Sequence, residues 1–414
     1  MDAPKALRQQ AVPTRRELVA RATALRPLIS DEQVESAQRG CYSQQLHEAF
    51  LAAGFYNITA PRMFGGFEHD LETFFKVMLE VASADPAVGW CLTLGASHAW
   101  FVASHWPEKA QQEFFAKGCF IAPHRATPAG KLIAVPGGYR LSGTWDYASG
   151  IPYATHFIGN AILTNGPVPG QTMSVVVPRD KVRVHDDWGG DRTVGMLASG
   201  SNSVTIDDIF VPQHHVIATA AYFMRGSDMV AGTPGTRLHG NAMFLGRVAG
   251  PYHMAIATQA VGAARASLNE FEQMIRTRKT IHPPFTLKAE HVEFQRTLGI
   301  ALVLTDAAEA ILMRSAQVYG ELCERWSSEG KVISEEDNLR LWGLVQQAGK
   351  NAFEAVDLLY RTAMSSSSTK KGSPVIKYYG DILMYRAHPA SGPDMIAAPI
   401  GRAHLGLPIA FMTL

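Results

Sequence analysis

The chain has 414 residues, 47% of them apolar, and its 38 lysines and arginines almost balance 37 aspartates and glutamates, for a formal charge of +1. That supports a large core and two to four domains at roughly 100–200 residues each, and it lacks the basic footprint of a nucleic-acid binder. No window reaches the roughly 20 apolar residues of a membrane span, the N-terminal stretch lacks the apolar run of a secretory signal, and the cytoplasm is the default location.

Taken in order, the first part of the chain is helical in pattern. Apolar stripes run over 15–37, 44–53 (ending at Gly54), 70–81 and 88–103, as in a bundle of short helices. Near Gly118 the period changes. CFIAPHRA, GYRLSGTWDY, HFIGNAIL, MSVVVP, VRVHDD and SNSVTIDDIFVP are short β-prone runs punctuated by Gly, Pro and Asn, which predicts a β-domain of barrel or sandwich type. After the glycine-rich 226–240, runs over 253–278, 289–326 and 335–363 have the length of bundle helices. SSSST at 365–369 reads as a capped turn between helices. The expected fold is mainly α with a central β-domain: helical over 1–117, β over 118–225, and a helical bundle over 226–414.

Few stretches carry chemistry on their own. Cys41, Cys91, Cys119 and Cys323 form no CxxC pair, so neither a zinc site nor a disulfide framework is indicated. His214 and His215 follow Pro212 without an HExxH pattern or a carboxylate-histidine cluster, and no metal site is expected. GGYRLSGTWDYASG at 137–150 is more informative. It reads as a turn and a strand ending where a flat heterocycle can stack on Trp145 and be hydrogen-bonded at its edge by Ser149. Core packing of the tryptophan and a turn serine are the plainer readings. Ser199 and Ser201 in SGSNS offer hydroxyls and backbone amides for a phosphate or ring edge, or an ordinary polar turn. No GxGxxG follows a strand, so a nicotinamide site of the Rossmann kind is missing.

Five segments in sequence, VGWCLTLGASHAW (88–100), PAG (128–130), GGYRLSGTWDYASG (137–150), VGMLASGSNSVTIDDIFVP (194–212) and YYGDILMYRAHPA (378–390), resemble the flavin-dependent monooxygenases built on the acyl-CoA dehydrogenase fold. These are oxygenase components of two-component aromatic hydroxylases, of the 4-hydroxyphenylacetate 3-monooxygenase kind. The resemblance implies an N-terminal helical domain, a β-barrel-like middle domain and a C-terminal four-helix bundle, assembled as a homotetramer. It implies reduced FAD or FMN from a separate NAD(P)H-dependent flavin reductase, O2 as co-substrate, a C4a-hydroperoxyflavin, and a small phenol or indole-like substrate.

The same resemblance proposes a site. His388 is the first candidate, as a group titrating near neutrality that delivers a proton; a satisfied bundle histidine is the alternative. Ser149 falls near the flavin or the substrate hydroxyl, and His124 where a related histidine helps deprotonate a phenol. His98 matches a recurrent family histidine but lies on an apolar helix, and ranks below them. Ser174 corresponds to a serine at the flavin N5 edge, and Arg278 to an arginine reaching flavin across a subunit boundary. Met196, Leu197, Phe223, Met224, Met243 and Phe244 are candidate cavity linings. Acyl-CoA dehydrogenases need a catalytic Glu, and none occurs between Asp381 and Leu414 or between Ile209 and Asn269. N- or S-oxygenation, a dehydrogenase, and a silent flavin-binding assembly subunit are the other readings.

Overall fold

The computed structural model describes residues 11–166, 168–219, 230–246, 249–363 and 372–409. Helices α1 (Arg15–Asp31), α2 (Gln33–Arg39), α3 (Gln44–Ala53), α4 (Leu71–Ala84), α5 (Pro86–His105) and α6 (Glu108–Phe114) come first. Their starts are written in the sequence: Ser43, Asp70 and Asp85 each cap the helix that follows, and Pro86 takes the first position of α5. The apolar run over 15–37 is two helices rather than one, because Glu32, with ψ near 0°, ends α1.

The strands β1 (His124–Val135), β2 (Gly138–Trp145), β3 (His156–Leu163), β4 (Thr172–Pro178), β5 (Arg183–Val184), β6 (Val204–Pro212) and β7 (Val216–Ala218) form one sheet in the order β5-β6-β2-β1-β3-β4-β7. Neighbours are antiparallel except β1 and β3, which run parallel. The strand order ends at β5 and β7, and the middle domain, expected to be of barrel or sandwich type, is one mixed sheet with a core of its own. Side chains alternate between two environments. Leu141, Trp145, Phe157, Ala161 and Val175 fill a core belonging to the sheet. Ile158 and Val176 point the other way and join the core of the helices. In β1 the pairing with β3 skips from Arg125 to Gly130, and the ladder with β2 begins at Gly130. Residues 126–129 are therefore exposed and unpaired in the middle of the sheet.

The rest is α7 (Pro234–His239), α8 (Ala249–Thr277), α9 (Val292–Glu329), α10 (Glu335–Ala363), α11 (Pro374–Ala387) and α12 (Pro393–His404). α8 is enclosed by α4, α5, α9, α10 and α11. Small residues permit this: a Cβ on Gly262 would stand 2.4 Å from the Cβ of Ala82. Among the described residues no helix is long and apolar enough to cross a membrane. The SSSST run at 365–369 lies outside the described residues.

Three parts of the chain meet at one lysine. Lys377 on α11 donates to Asp85 Oδ1 at 2.8 Å and to Asp381 Oδ2 at 2.9 Å, and both carboxylates are buried. Asp381 also accepts the Met196 N–H at 2.6 Å. Burial works against the charge on Lys377, yet Asp381 and Asp85 outweigh it and raise the pKa well above the ordinary lysine range. The loop before Met196 touches α11 backbone to backbone, and a Cβ on Gly380 would fall 2.3 Å from the Val194 oxygen. Lys377→Met keeps the apolar stem but strands two buried carboxylates. Urea denaturation is expected to show a loss of about 3–5 kcal/mol, and a loss below about 1 kcal/mol would contradict the role given to this lysine.

Candidate active site

Capping by Asp85 fixes the start of α5, and Trp90 lies just over one turn in, buried. Its Nε1 donates to Ser149 Oγ at 3.0 Å. Ser149 follows β2 in a turn with Tyr147 and Gly150 at positive φ. The Ser149 hydroxyl meets that of Ser201 at 2.7 Å, and Ser201 meets Ser199 at 2.6 Å. Indole N–H only donates, so the run of hydroxyls is pinned at the tryptophan and free in direction beyond it. Depending on that direction, the proton left over lies at Ser149 or at Ser199. His388, the residue after α11, sets its ring 5.9 Å from Trp90 at 64°. Ser149, Ser199, Ser201 and His388 thus come together through a tryptophan that sequence reasoning passed over. The signal was present: Trp90, Leu94, His98 and Phe101 have the spacing of one helix face.

A second group lies where α5 faces the sheet. His98 Nδ1 bonds the Ala122 carbonyl at 2.7 Å; a carbonyl only accepts, so Nδ1 carries the proton and Nε2 the lone pair. That Nε2 is buried without a protein partner, as is Thr59 Oγ1. Both residues line a small cavity with Leu71, Phe74, Phe101 and Tyr252. The His98 and His124 rings are 5.6 Å apart, and Tyr252 is 6.3 Å from each. His124 Nε2 reaches Asn160 Oδ1 at 3.4 Å, and Ser174 Oγ donates to the same oxygen. Ser174 is thus brought to His124 through Asn160.

Burial lowers the pKa of His98 to about 4; burial and then the neighbouring His98 lower that of His124 to about 3. Burial, followed by the charge of Arg125, lowers that of His388 to about 4. That is below the near-neutral range expected of His388 from the sequence and favours its neutral imidazole. The Arg125 charge also acts on His124 and Tyr252.

Other candidates lie elsewhere. Trp145 offers no ring face to a ligand. It is 1% exposed inside the sheet core, donates Nε1 to the Asn160 backbone carbonyl at 2.9 Å, packs edge-on to Phe157, and is pressed by the backbones of Gly130 and Gly143. Arg278 is exposed just past the end of α8, about 40 Å along the helix from Tyr252 at 1.5 Å per residue. Within one chain it does not meet the histidines. Met196 and Phe244 are buried core, Leu197 and Met243 are half-buried, and Phe223 and Met224 lie outside the described residues. His214 and His215 do have a carboxylate partner. Glu113 on α6 takes them at 2.9 and 2.6 Å, a pairing across the sequence that local motifs do not register. These ligand atoms lie within 4.8 Å of one another, so the trio has donors for a divalent cation, although each imidazole is already bonded to the carboxylate.

The buried neutral histidines have a sign for stability. Their folded pKa values lie below the unfolded value of about 6.5, so the unfolded chain takes up protons first on acidification. Stability is expected to be full above about pH 6.5 and to fall continuously toward pH 4, read as the urea midpoint against pH; a midpoint constant from pH 7 to 4.5 would show that the imidazoles are not held neutral.

Residues 254–391 match the family model described as acyl-CoA dehydrogenase, C-terminal domain. A pigment production hydroxylase of a Rhodococcus species is 27% identical over 406 residues, covering 96% of this chain and 98% of the relative. The FADH(2)-dependent resorcinol hydroxylase, oxygenase component, of a Rhizobium species is 27% identical over 408 residues, covering 94% of each. Among solved structures, XiaF from a Streptomyces species, in complex with FADH2 and glycerol, superposes with a TM-score of 0.85 at 24% identity, covering 97% of this chain and 98% of that one. The chain therefore has the acyl-CoA dehydrogenase fold and is similar, along nearly its whole length, to oxygenase components of flavin-dependent hydroxylases.

Proposed function

We propose that the chain is the oxygenase component of a two-component monooxygenase, which takes reduced flavin from a separate reductase and hydroxylates a small phenol or indole-like aromatic with O2. One oxygen atom enters the substrate and the other leaves as water, and the reduced flavin, when bound, supplies the two electrons. The observation that carries this reading is a site of neutral imidazoles and hydroxyls with no free carboxylate among the described residues. A dehydrogenase on this fold removes a carbon-bound proton with a carboxylate, and Asp381, the nearest on the same helix as His388, is engaged by Lys377 and the Met196 N–H.

The residues present fit a flavin. The stretch 126–129, outside the strand ladders, offers the backbone of Thr127 and Ala129 and the Pro128 carbonyl in the middle of a sheet, as the polar edge of a flat ring requires, while the Ala126 carbonyl accepts from Asn160 Nδ2 at 2.9 Å. Ser149, Ser201 and Ser199 turn a hydroxyl proton toward such a ring or toward a substrate oxygen. His388 exchanges a proton at its imidazole and, lying against Trp90, closes the site. His98 Nε2 and His124 accept from the O–H or N–H of the substrate, while the apolar walls of the cavity keep water from the reacting atoms. Ser174 is held by Asn160 and supports His124 from behind. The assembly proposed is a homotetramer in the cytoplasm, fed by an NAD(P)H-dependent reductase. Exposed Val292, Ile300 and Val303 on α9 favour burial between subunits, where Arg278 would reach a neighbour's flavin.

Mixing the protein with reduced FAD or FMN and then with oxygenated buffer is expected to give a flavin absorbance, distinct from oxidised and reduced forms, that outlives the free-flavin reaction at least tenfold. Reoxidation as fast as in buffer rejects the oxygenase reading. His388→Ala and Ser149→Ala are each expected to lower product formed per flavin oxidised by about tenfold or more, with H2O2 rising to match; wild-type coupling in either variant removes that residue from the mechanism.

A further inference from the structure

Outside the candidate active site, two adjacent histidines and a glutamate converge on one point. Glu113 is in the last turn of α6, and His214 and His215 occupy the turn that joins β6 to β7. His214 Nε2 lies 2.9 Å from Glu113 Oε1 and His215 Nε2 2.6 Å from Oε2, and one ligand atom from each residue lies within 4.8 Å of the other two. The two rings are nearly perpendicular, at 81° with centroids 4.6 Å apart, so consecutive residues bring both Nε2 atoms to the same carboxylate. The mount is fixed from behind. The His215 carbonyl accepts from Trp106 Nε1 at 3.0 Å, the Gln213 N–H donates to the Gly137 carbonyl at 3.2 Å, and the Phe114 ring lies 4.8 Å from that of His215. His215 is buried, His214 half-buried and Glu113 exposed, so the point of convergence opens to solvent on one side.

The donors say what would fill it. Two imidazole nitrogens and one carboxylate oxygen suit a zinc-class divalent ion, whereas magnesium and calcium take shells of oxygen. Around Zn2+, with bonds of about 2.0–2.1 Å, ligand atoms sit about 3.3 Å apart. The three atoms here reach that spacing by shifts of about 1.5 Å or less, within the reach of side-chain rotation. Their mutual hydrogen bonds do not consume the donors; they hold the three residues together without the ion. A carboxylate only accepts, so each Nε2 carries the proton of its bond in the metal-free protein. On binding, that proton passes to Nδ1 of the same ring, the Nε2 lone pair turns to the ion, and water fills the remaining positions from the open side. We propose that Glu113, His214 and His215 form a binding site for a zinc-class divalent ion that clips α6 to the sheet. No residue of the candidate active site belongs to it, and it stands apart from the oxygenase reading.

Untagged full-length protein, freed of metal with a chelator and dialysed, is titrated calorimetrically with Zn2+ and separately with Mg2+. One Zn2+ per chain is expected to bind with a Kd of about 10 μM or tighter, and Mg2+ roughly a hundredfold more weakly. Zinc in excess should raise the melting temperature by several degrees, because the folded chain alone presents the three donors together. Glu113→Gln and His214→Ala are each expected to weaken Zn2+ binding tenfold or more with the circular dichroism of the wild type. Co2+ in place of Zn2+ should give visible absorption bands that both variants lose. No binding by the wild type at about 100 μM Zn2+ overturns the proposal, as does wild-type affinity in both variants, which would put the ion elsewhere. If either variant fails to fold, zinc-edge anomalous scattering from wild-type crystals decides in its place: a peak bonded to Glu113, His214 and His215 upholds the site, and zinc bound only at other residues rejects it.

Discussion

The geometry of the site depends on a buried ammonium held between two buried carboxylates. Lys377 closes the gap between the first turn of α5 and the middle of α11, and Asp381 extends the same connection to the loop at Met196. The groups around Trp90 are a short walk from this point. Trp90 is five residues beyond Asp85, His388 seven beyond Asp381, and Ser199 three beyond Met196. Over such spans a helix or a tight loop leaves little freedom, so the approach of Trp90, His388 and the serines is set by ion pairing rather than by their own weak contacts. A single aromatic contact and a hydroxyl bond contribute on the order of 1 kcal/mol each. They could not hold three distant segments in register by themselves.

Much of the architecture was legible because local signals agree with one another. The strand 156–163 and the helix 335–363 have the boundaries read from pattern alone, and Gly54, at φ 80°, stops α3 where the apolar stripe ends. What was not legible is non-local. Strand alternation shows that Trp145 has one buried side, but only the sheet topology tells that this side is the sheet's own core and not the face toward the helices. The strand order is non-local in the same way, since short β-prone runs do not encode which strands pair or that β1 and β3 run parallel. Glu113 is about a hundred residues from His214 and His215, and no spacing rule joins them.

The candidate site was legible as a set of names rather than as a geometry. His98, His124 and Ser174 do converge, and His388 does meet Ser149 through Trp90. Their electrostatic condition was not readable, because it follows from burial. A histidine in a sequence has an ordinary pKa, whereas three histidines packed with Phe101, Tyr252 and Trp90 are driven to the neutral form. The same dryness gives Arg125 its weight, since a cation is strongly felt where few dipoles can screen it.

The seam between Gly195 and Gly380 has a consequence for how such a protein can vary. Because backbone lies against backbone, with no room for a Cβ on either side, the loop entering the site and the helix beside it form a matched pair, like two halves of a hinge cut to one another. A segment carrying different hydroxyls could be transplanted downstream of Met196 without disturbing that match. Transplanting from Val194 would require exchanging the helix as well.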